Sequence, residues 1–214
     1  MRTILVTNAK GGCGKSTIAT SLAAYYASEG YVTALADFDP QASALDWLAE
    51  RPEGFPPIRG IRSYEDGLSG LSRSCEYLII DSPARSTGKE LTALLRRAES
   101  VVVPVLPSPI DMKAGARFIS ELLDSHKVAE KKARVAVVAN RVRENTLIYE
   151  ELDEYLAKLR VPYVAAFREA QNYIRSYQRG LGIHELPPYL AWPDWEQWEP
   201  LLDWLDSKRS QARK

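Results

Sequence analysis

Apolar residues fall along this chain in two alternating textures. One is the short unbroken run: Thr3-Ile4-Leu5-Val6-Thr7, Val32 to Asp37, Tyr77 to Asp81, Val101 to Val105 and Val135 to Ala139. The other is a longer stretch with apolar positions three or four apart, such as Ile18, Leu22, Ala23, Tyr26 and Ala27, or Ala116, Ile119, Leu122 and Leu123. Unbroken runs suit parallel strands covered on both faces, and the spaced stretches suit helices with one buried face. The pattern predicts strands near 2–7, 32–37, 58–61, 77–81, 100–105, 134–142 and 162–167. It predicts helices near 18–29, 43–50, 64–72, 90–97, 111–126, 147–159 and 194–209. Gly30 is placed to stop the first helix, Asp111 to cap the fifth, and Pro104 to end a strand. Strand and helix in alternation predict an α/β fold: a doubly wound, mostly parallel sheet with helices on both faces. No repeat or low-complexity segment interrupts it, so residues 1–214 are expected to form a single domain.

The connection after the first strand changes the picture from fold to chemistry. Lys10-Gly11-Gly12-Cys13-Gly14-Lys15-Ser16-Thr17 lies between that strand and the first helix. Strand, glycine loop and helix in this order form a phosphate-binding loop. The glycines let successive N–H groups, those around Cys13 and Thr17 included, converge on one point. The helix adds the positive end of its dipole. Lys15 is placed to reach the outer phosphates, and the Ser16 hydroxyl to ligate Mg²⁺.

Composition narrows the setting. Lysine and arginine number 28, as do aspartate and glutamate, so the formal net charge is zero. No global field favours nucleic acid or acidic lipid, and such a contact has to come from a local patch. The two cysteines, Cys13 and Cys75, do not read as a disulfide, because Cys13 sits inside the loop; a reduced, intracellular protein is expected. Arg2 followed by a five-residue apolar run is not a signal peptide. No apolar stretch approaches the ~20 residues that span a bilayer.

Polar residues at strand ends are the remaining candidates. Asp37-Phe38-Asp39-Pro40-Gln41 ends one strand, Asp81-Ser82-Pro83 another, and Asn140 a third. The carboxyl ends of parallel strands face the ligand crevice, although each group also fits an ordinary turn. Arg168, Arg175 and Arg179 are spaced to share one face of a late helix. The last helix carries Trp195, Trp198, Leu201, Leu202, Trp204 and Leu205, with Asp194, Glu196, Glu199, Asp203 and Asp206 on its polar face. A helix that binds membrane surfaces should be basic there; this one is basic only at its end, in the tail 208–214.

Lys10 to Ser16 match KGGxGK[ST] in full, and Ala9 stands where a standard loop opens with glycine. In this the sequence resembles the deviant Walker A ATPases, the ParA partition proteins and MinD-like proteins. Asp37 to Gln41 match that family's DxDPQ, Asp81 matches its Walker B aspartate, and Pro107 to Asp111 resemble its PSPLD loop, with Ile110 in place of leucine. The resemblance implies a P-loop NTPase that binds ATP and Mg²⁺. It implies that Lys10 reaches the phosphates held by a second subunit, that Asp39 orients the attacking water, and that Asp37 and Asp81 attend the metal. It also implies that Asn140 reads adenine beside a proline loop near Pro187, and that Arg85 and Ser86 lie in a switch facing the partner subunit. Small ParA-type proteins without a helix-turn-helix ahead of the loop are the nearest pattern. For them the resemblance implies an ATP-dependent homodimer that binds DNA without sequence preference. A ParB-like adaptor stimulates hydrolysis, and a plasmid, an origin or a protein body such as a carboxysome is positioned on the nucleoid in the cytoplasm. Arg141, Arg143, Lys158, Arg168, Arg175 and Arg179 are the candidate DNA contacts. A MinD-like membrane switch and a metabolic ATP-dependent ligase of the same fold are the other readings. An iron protein is set aside, since its paired cluster cysteines are absent.

Overall fold

The computed structural model describes residues 1–130 and 132–212. Seven strands form one sheet: β1 Arg2–Val6, β2 Thr33–Asp37, β3 Ile58–Arg62, β4 Tyr77–Asp81, β5 Ser100–Val105, β6 Arg134–Val142 and β7 Tyr163–Arg168. Their order is β3-β2-β4-β1-β5-β6-β7, and every pairing is parallel. The expected "mostly parallel" sheet is therefore parallel throughout.

The order of strands positions the site. Succession runs from β1 to one side through β2 and β4, then resumes on the other side at β5. The switch point lies at the carboxyl end of β1, where crossovers diverge and leave a crevice. The glycine loop leaves β1 at that point and enters helix α1, Lys15–Ser28. Asp37 and Asp81 end β2 and β4 in register with each other, and Val6 is in register with Asp81. The loop and both carboxylates therefore share one end of three adjacent strands.

Two apolar layers hold this arrangement. Ile4, Val6, Leu35 and Ile79 face α1 and helix α9, Pro188–Asp206, where Trp198 and Leu201 are fully buried. Leu5, Ala36, Ile80 and Val103 face the opposite way. They pack with α4 Gly88–Leu95, α5 Pro109–Asp124 and α7 Leu147–Ala157. Alternate residues of one strand supply the two layers, which is why the strands read as unbroken apolar runs.

Several boundaries differ from the pattern-based expectation. The helix expected over 64–72 is a single turn, α3 Ser63–Asp66, ended by Gly67. Helix α2 spans Ser43–Ala49. Asp111 is not the cap of α5: Ser108 is, its hydroxyl accepting from the Asp111 N–H at 3.1 Å, and Asp111 sits in the first turn. That helix ends at Asp124, and a separate turn, α6 His126–Ala129, follows. Pro104 lies within β5, paired with Val138. The last helix starts at Pro188, six residues before the expected start at Asp194, and contains Pro193 and Pro200. Asp194 is not on its polar face but fully buried. Arg168 ends β7, Arg175 lies on α8 Gln171–Gln178, and Arg179 is the residue that ends that helix, so the three do not share a helical face.

The segment after α9 folds back on the amino ends of the strands. The Arg2 guanidinium pairs with Glu99 at 2.6 Å and donates to the Leu205 carbonyl and the Ser210 hydroxyl. Lys208 and Arg209 are exposed at this end, opposite the glycine loop. Arg213 and Lys214, the end of the expected basic tail, lie outside the described residues. No described helix is long and apolar enough to cross a membrane.

Candidate active site

The loop is built on two left-handed glycines. Gly12 has φ 74° and Gly14 φ 91°, a region that costs other residues about 1–2 kcal/mol. Gly14 has a second constraint: a Cβ there would sit 2.1 Å from the Asn140 amide nitrogen. That nitrogen donates to the Cys13 carbonyl at 2.7 Å, so β6 is bonded directly to the loop. The Cys13 thiol is buried and donates to the Lys10 carbonyl at 3.3 Å. Burial pushes its pKa up, against the pull of the Lys15 charge. The buried Lys15 ammonium also donates to the Lys10 carbonyl, at 3.2 Å, and is thereby folded back over the loop.

Lys10 itself is held by a residue that the sequence did not single out. The Asn8 carboxamide accepts from the Lys10 N–H at 3.1 Å and donates to the Pro104 carbonyl at 2.6 Å. Asn8 is buried and ties the root of the loop to β5. Among the described residues, the Lys10 ammonium has no hydrogen bond or ion pair, and the residue is half-buried at the root of the loop.

The carboxylates divide the work. Asp37 is fully buried, and both its oxygens accept backbone amides: Oδ1 from Asp39 at 2.9 Å, Oδ2 from Ala44 at 2.9 Å and Leu45 at 3.3 Å. Burial raises its pKa, and these amides pull it back. Asp37 thus anchors the start of α2. Asp39 accepts from Gln41 N at 3.0 Å through Oδ1 and from Ala84 N at 3.3 Å through Oδ2. It therefore spans the turns that follow β2 and β4, the second being the expected switch segment that holds Arg85 and Ser86. Arg85 adopts φ 66° there, and Ser86 is buried with its hydroxyl donating to the Pro83 carbonyl.

Asp81 is the outlier. It is fully buried, and among the described residues neither carboxylate oxygen has a hydrogen-bond partner. Burial pushes its pKa up to about 7; nearby Ser16 and Lys15 oppose that, and Asp37 and Asp39 add to it. A buried, orphaned carboxylate is a costly arrangement. It fits a hydrated cation held between Asp81 and the Ser16 hydroxyl, which Mg²⁺ accepts with few protein ligands. Among the described residues no group of three or more His, Cys, Asp or Glu could hold a metal by itself. The donor set thus suits a metal completed by water and phosphate.

Beside Gly12, Gly14 and Thr17 opens a cavity of about 660 Å³. Ile18, Asn140, Phe167, Tyr173, Ile174 and Tyr177 line much of it. Its aromatic and aliphatic walls, with the amides of Asn140 and Gln178 and the charged Arg141, Arg168 and Glu169 also lining it, suit a flat heteroaromatic ring. The expected proline loop near Pro187 does not line it; the segment after β7 does. The spacing of Tyr173, Ile174 and Tyr177 along α8 was the available signal. Asn140 reaches this cavity through a register jump between β6 and β7 that skips Arg141, itself at φ 54°. Such a bulge re-aims side chains at a strand end.

The expected basic residues are not a bare patch. Arg141 and Arg143 both donate to Glu169, at 2.7 and 2.6 Å. Arg168 is paired with buried Asp194 at 2.6 Å, and this contact raises its pKa. Lys158 reaches Glu154 at 3.4 Å, and Arg175 donates to the Asn172 side-chain Oδ1 at 3.4 Å.

Comparison with known proteins agrees with this geometry. Maintenance of carboxysome distribution protein A from Halothiobacillus neapolitanus is 26% identical over 191 residues, 86% of this chain and 87% of that one. The chromosome-partitioning ATPase Soj from Thermus thermophilus is 47% identical over 189 residues, 73% of this chain and 76% of that one. The ATP complex of McdA from Cyanothece shares the fold with a TM-score of 0.70 at 18% identity, covering 94% and 96% of the two chains. Other proteins of this fold are solved with ADP and magnesium. Residues 4–183 match the CobQ/CobB/MinD/ParA nucleotide-binding domain, and the chain belongs to that family.

Proposed function

We propose that the chain, acting as one unit, is a ParA-type positioning ATPase that hydrolyses ATP to ADP and phosphate. The observation that carries the reading is the pair of lysines in one loop: Lys15 folded inward over the loop, and Lys10 with its ammonium unpartnered. A subunit that needs only to bind nucleotide requires Lys15. The free Lys10 suits a second copy, where its charge would meet the phosphates across a dimer interface. Mg²⁺, when bound near Ser16 and Asp81 with Asp37 behind, would neutralise phosphate charge. The adenine would lie in the cavity under Asn140, whose amide both donates and accepts. Asp39 would accept a proton-bearing water against the γ-phosphate, held there by the Gln41 and Ala84 amides.

Dimerisation would bring two sets of arginines onto one face, giving a DNA surface that exists only with ATP bound. Hydrolysis, stimulated by an adaptor on the cargo, would release it. Similarity to a carboxysome distribution protein and to Soj supports a cargo carried on the nucleoid, a protein body or a DNA origin. The exposed face of α9, with Glu196, Glu199, Asp203 and Asp206, would be repelled by an anionic bilayer, which favours DNA over a membrane surface.

The test is binding to random-sequence duplex DNA with ATP, ADP or no nucleotide. Wild type binds with ATP alone, Lys10→Ala does not bind, and Asp39→Ala stays bound because it cannot hydrolyse. Nucleotide-independent binding, or a Lys10→Ala variant that binds normally, would refute the reading.

A further inference from the structure

Helix α2 and the segment formed by α8 and the residues after it are joined by several hydrogen bonds, and each borders a different part of the site. The Tyr177 hydroxyl on α8 donates to the Ser43 carbonyl at 2.7 Å. Ser43 opens α2, directly between the turn of Asp39 and the Ala44 and Leu45 amides that bond Asp37. The ring of Tyr177 lines the cavity beside Gly14 and Thr17. One side chain thus touches the space assigned to the base and the segment that carries Asp39.

The rest of the fastening prevents the two helices from sliding apart. Trp47 Nε1 on α2 donates to the Leu181 carbonyl at 3.1 Å. Arg51, just past α2, donates to the Gly180 carbonyl at 3.1 Å and pairs with Glu185 at 2.6 Å. Both side chains of that pair are almost wholly buried, 5% and 3% exposed. Gly180 has φ 63°, and a Cβ on it would meet the Arg51 nitrogen at 2.3 Å. The chain after α8 therefore lies directly on the end of α2, and displacement of Tyr177 is transmitted to Ser43.

We propose that Tyr177 is a positioning residue that couples occupation of the base cavity to the placement of Asp39. A ring bound against Tyr177 fixes its side chain, and the Tyr177–Ser43 bond fixes the first turn of α2. The Asp37–Ala44 bonds and the Asp39–Gln41 turn then take up one arrangement. Burial raises the Tyr177 pKa, with Asp46 and Asp37 contributing, so the hydroxyl stays a donor. The inference rests on the reading of Asp39 as the residue that orients water.

Tyr177→Phe keeps the ring and removes only the donor. Measured with ATP and Mg²⁺, its kcat should fall about fivefold, the weight of one neutral hydrogen bond, while its affinity for ADP stays within twofold of wild type. Trp47→Phe, which loosens the same two segments elsewhere, should shift kcat in the same direction with ADP affinity kept. A merely structural role would lower affinity and kcat together. A wild-type kcat in Tyr177→Phe, or a parallel loss of ADP affinity, overturns the coupling alone. Fast turnover by Asp39→Ala overturns the reading beneath it, and the coupling with it.

Discussion

Glu169 decides how much charge the strand ends of β6 and β7 present. Its carboxylate accepts from both Arg141 and Arg143, and these bonds, Arg141's first, lower its pKa. All three side chains are well exposed, so the pairs are loose and exchange readily with water. A DNA phosphate would compete with Glu169 for the same two guanidiniums. Glu169→Gln should therefore tighten ATP-dependent DNA binding severalfold at low salt and steepen its salt dependence by about one phosphate. Fluorescence anisotropy across a salt series reads both; an unchanged slope would remove these arginines from the contact set. Gly14 is the opposite kind of residue, with no tolerance. Gly14→Ala meets both the positive φ and the Asn140 amide, and nucleotide affinity by calorimetry should fall by tenfold or more.

At the scale of elements, the Arg51–Glu185 pair is an almost wholly buried tie between the end of α2 and the segment after α8. Glu185 also accepts from the Gly182 N–H and the Ser28 hydroxyl, and Arg51 lies over the Trp47 and Phe55 rings. Breaking such a buried pair from one side leaves an uncompensated charge, at a cost of about 3–5 kcal/mol. Arg51→Met should lower the unfolding free energy from denaturant titration by that amount, and Arg51→Met with Glu185→Leu should recover much of it. Additive losses in that double-mutant cycle would show the two charges to be independent. None of this was visible along the chain, because Arg51 sits in a Pro- and Gly-rich stretch and Glu185 lies 134 positions away. The strands and the loop were visible for the converse reason: each is specified by contiguous residues. The Asp37 and Asp81 signals were also local. Their distinct roles were not, since they depend on which amides α2 happens to offer. The late arginines were legible only as charges, and the helical face expected for Arg168, Arg175 and Arg179 was not there, for a related reason. Sequence spacing places a charge on an element, but ion pairing with Glu169 or Asp194 is a property of neighbours brought in from elsewhere. Helix α9 was underestimated because prolines read as breaks, yet Pro188 occupies the first turn, where no N–H is needed.

For the whole molecule, His184 is a sensor of acid stability. Both ring nitrogens are buried and, among the described residues, without partners, beside Tyr25, Trp195 and Trp198. Burial lowers its pKa from 6.5 to about 4, with Glu185 opposing. The unfolded chain therefore binds more protons than the native one between these values. Stability from this group is complete above pH 6.5 and is lost as pH falls towards 4. The linkage amounts to about 2 kcal/mol between pH 7 and pH 5. Urea titrations at those two pH values should show His184→Leu losing about that much less than wild type on acidification; an identical loss would place the acid sensitivity elsewhere. Because His184 packs against Tyr25 of α1 and Trp195 and Trp198 of α9, the effect should appear equally with and without nucleotide at saturating concentrations.

The Cys13 thiol, tucked beneath the loop against the Lys10 carbonyl, turns the protein into its own labelling reporter. The second thiol, Cys75, is also buried, in the apolar layer with Ala34 and Leu78, at 7% exposure against 1% for Cys13. A small alkylating reagent should reach Cys13 when the loop alone lifts, and Cys75 through motion of that layer. Mass spectrometry of the two peptides over time then separates local breathing from unfolding in one untagged sample. Nucleotide should slow the first rate far more than the second.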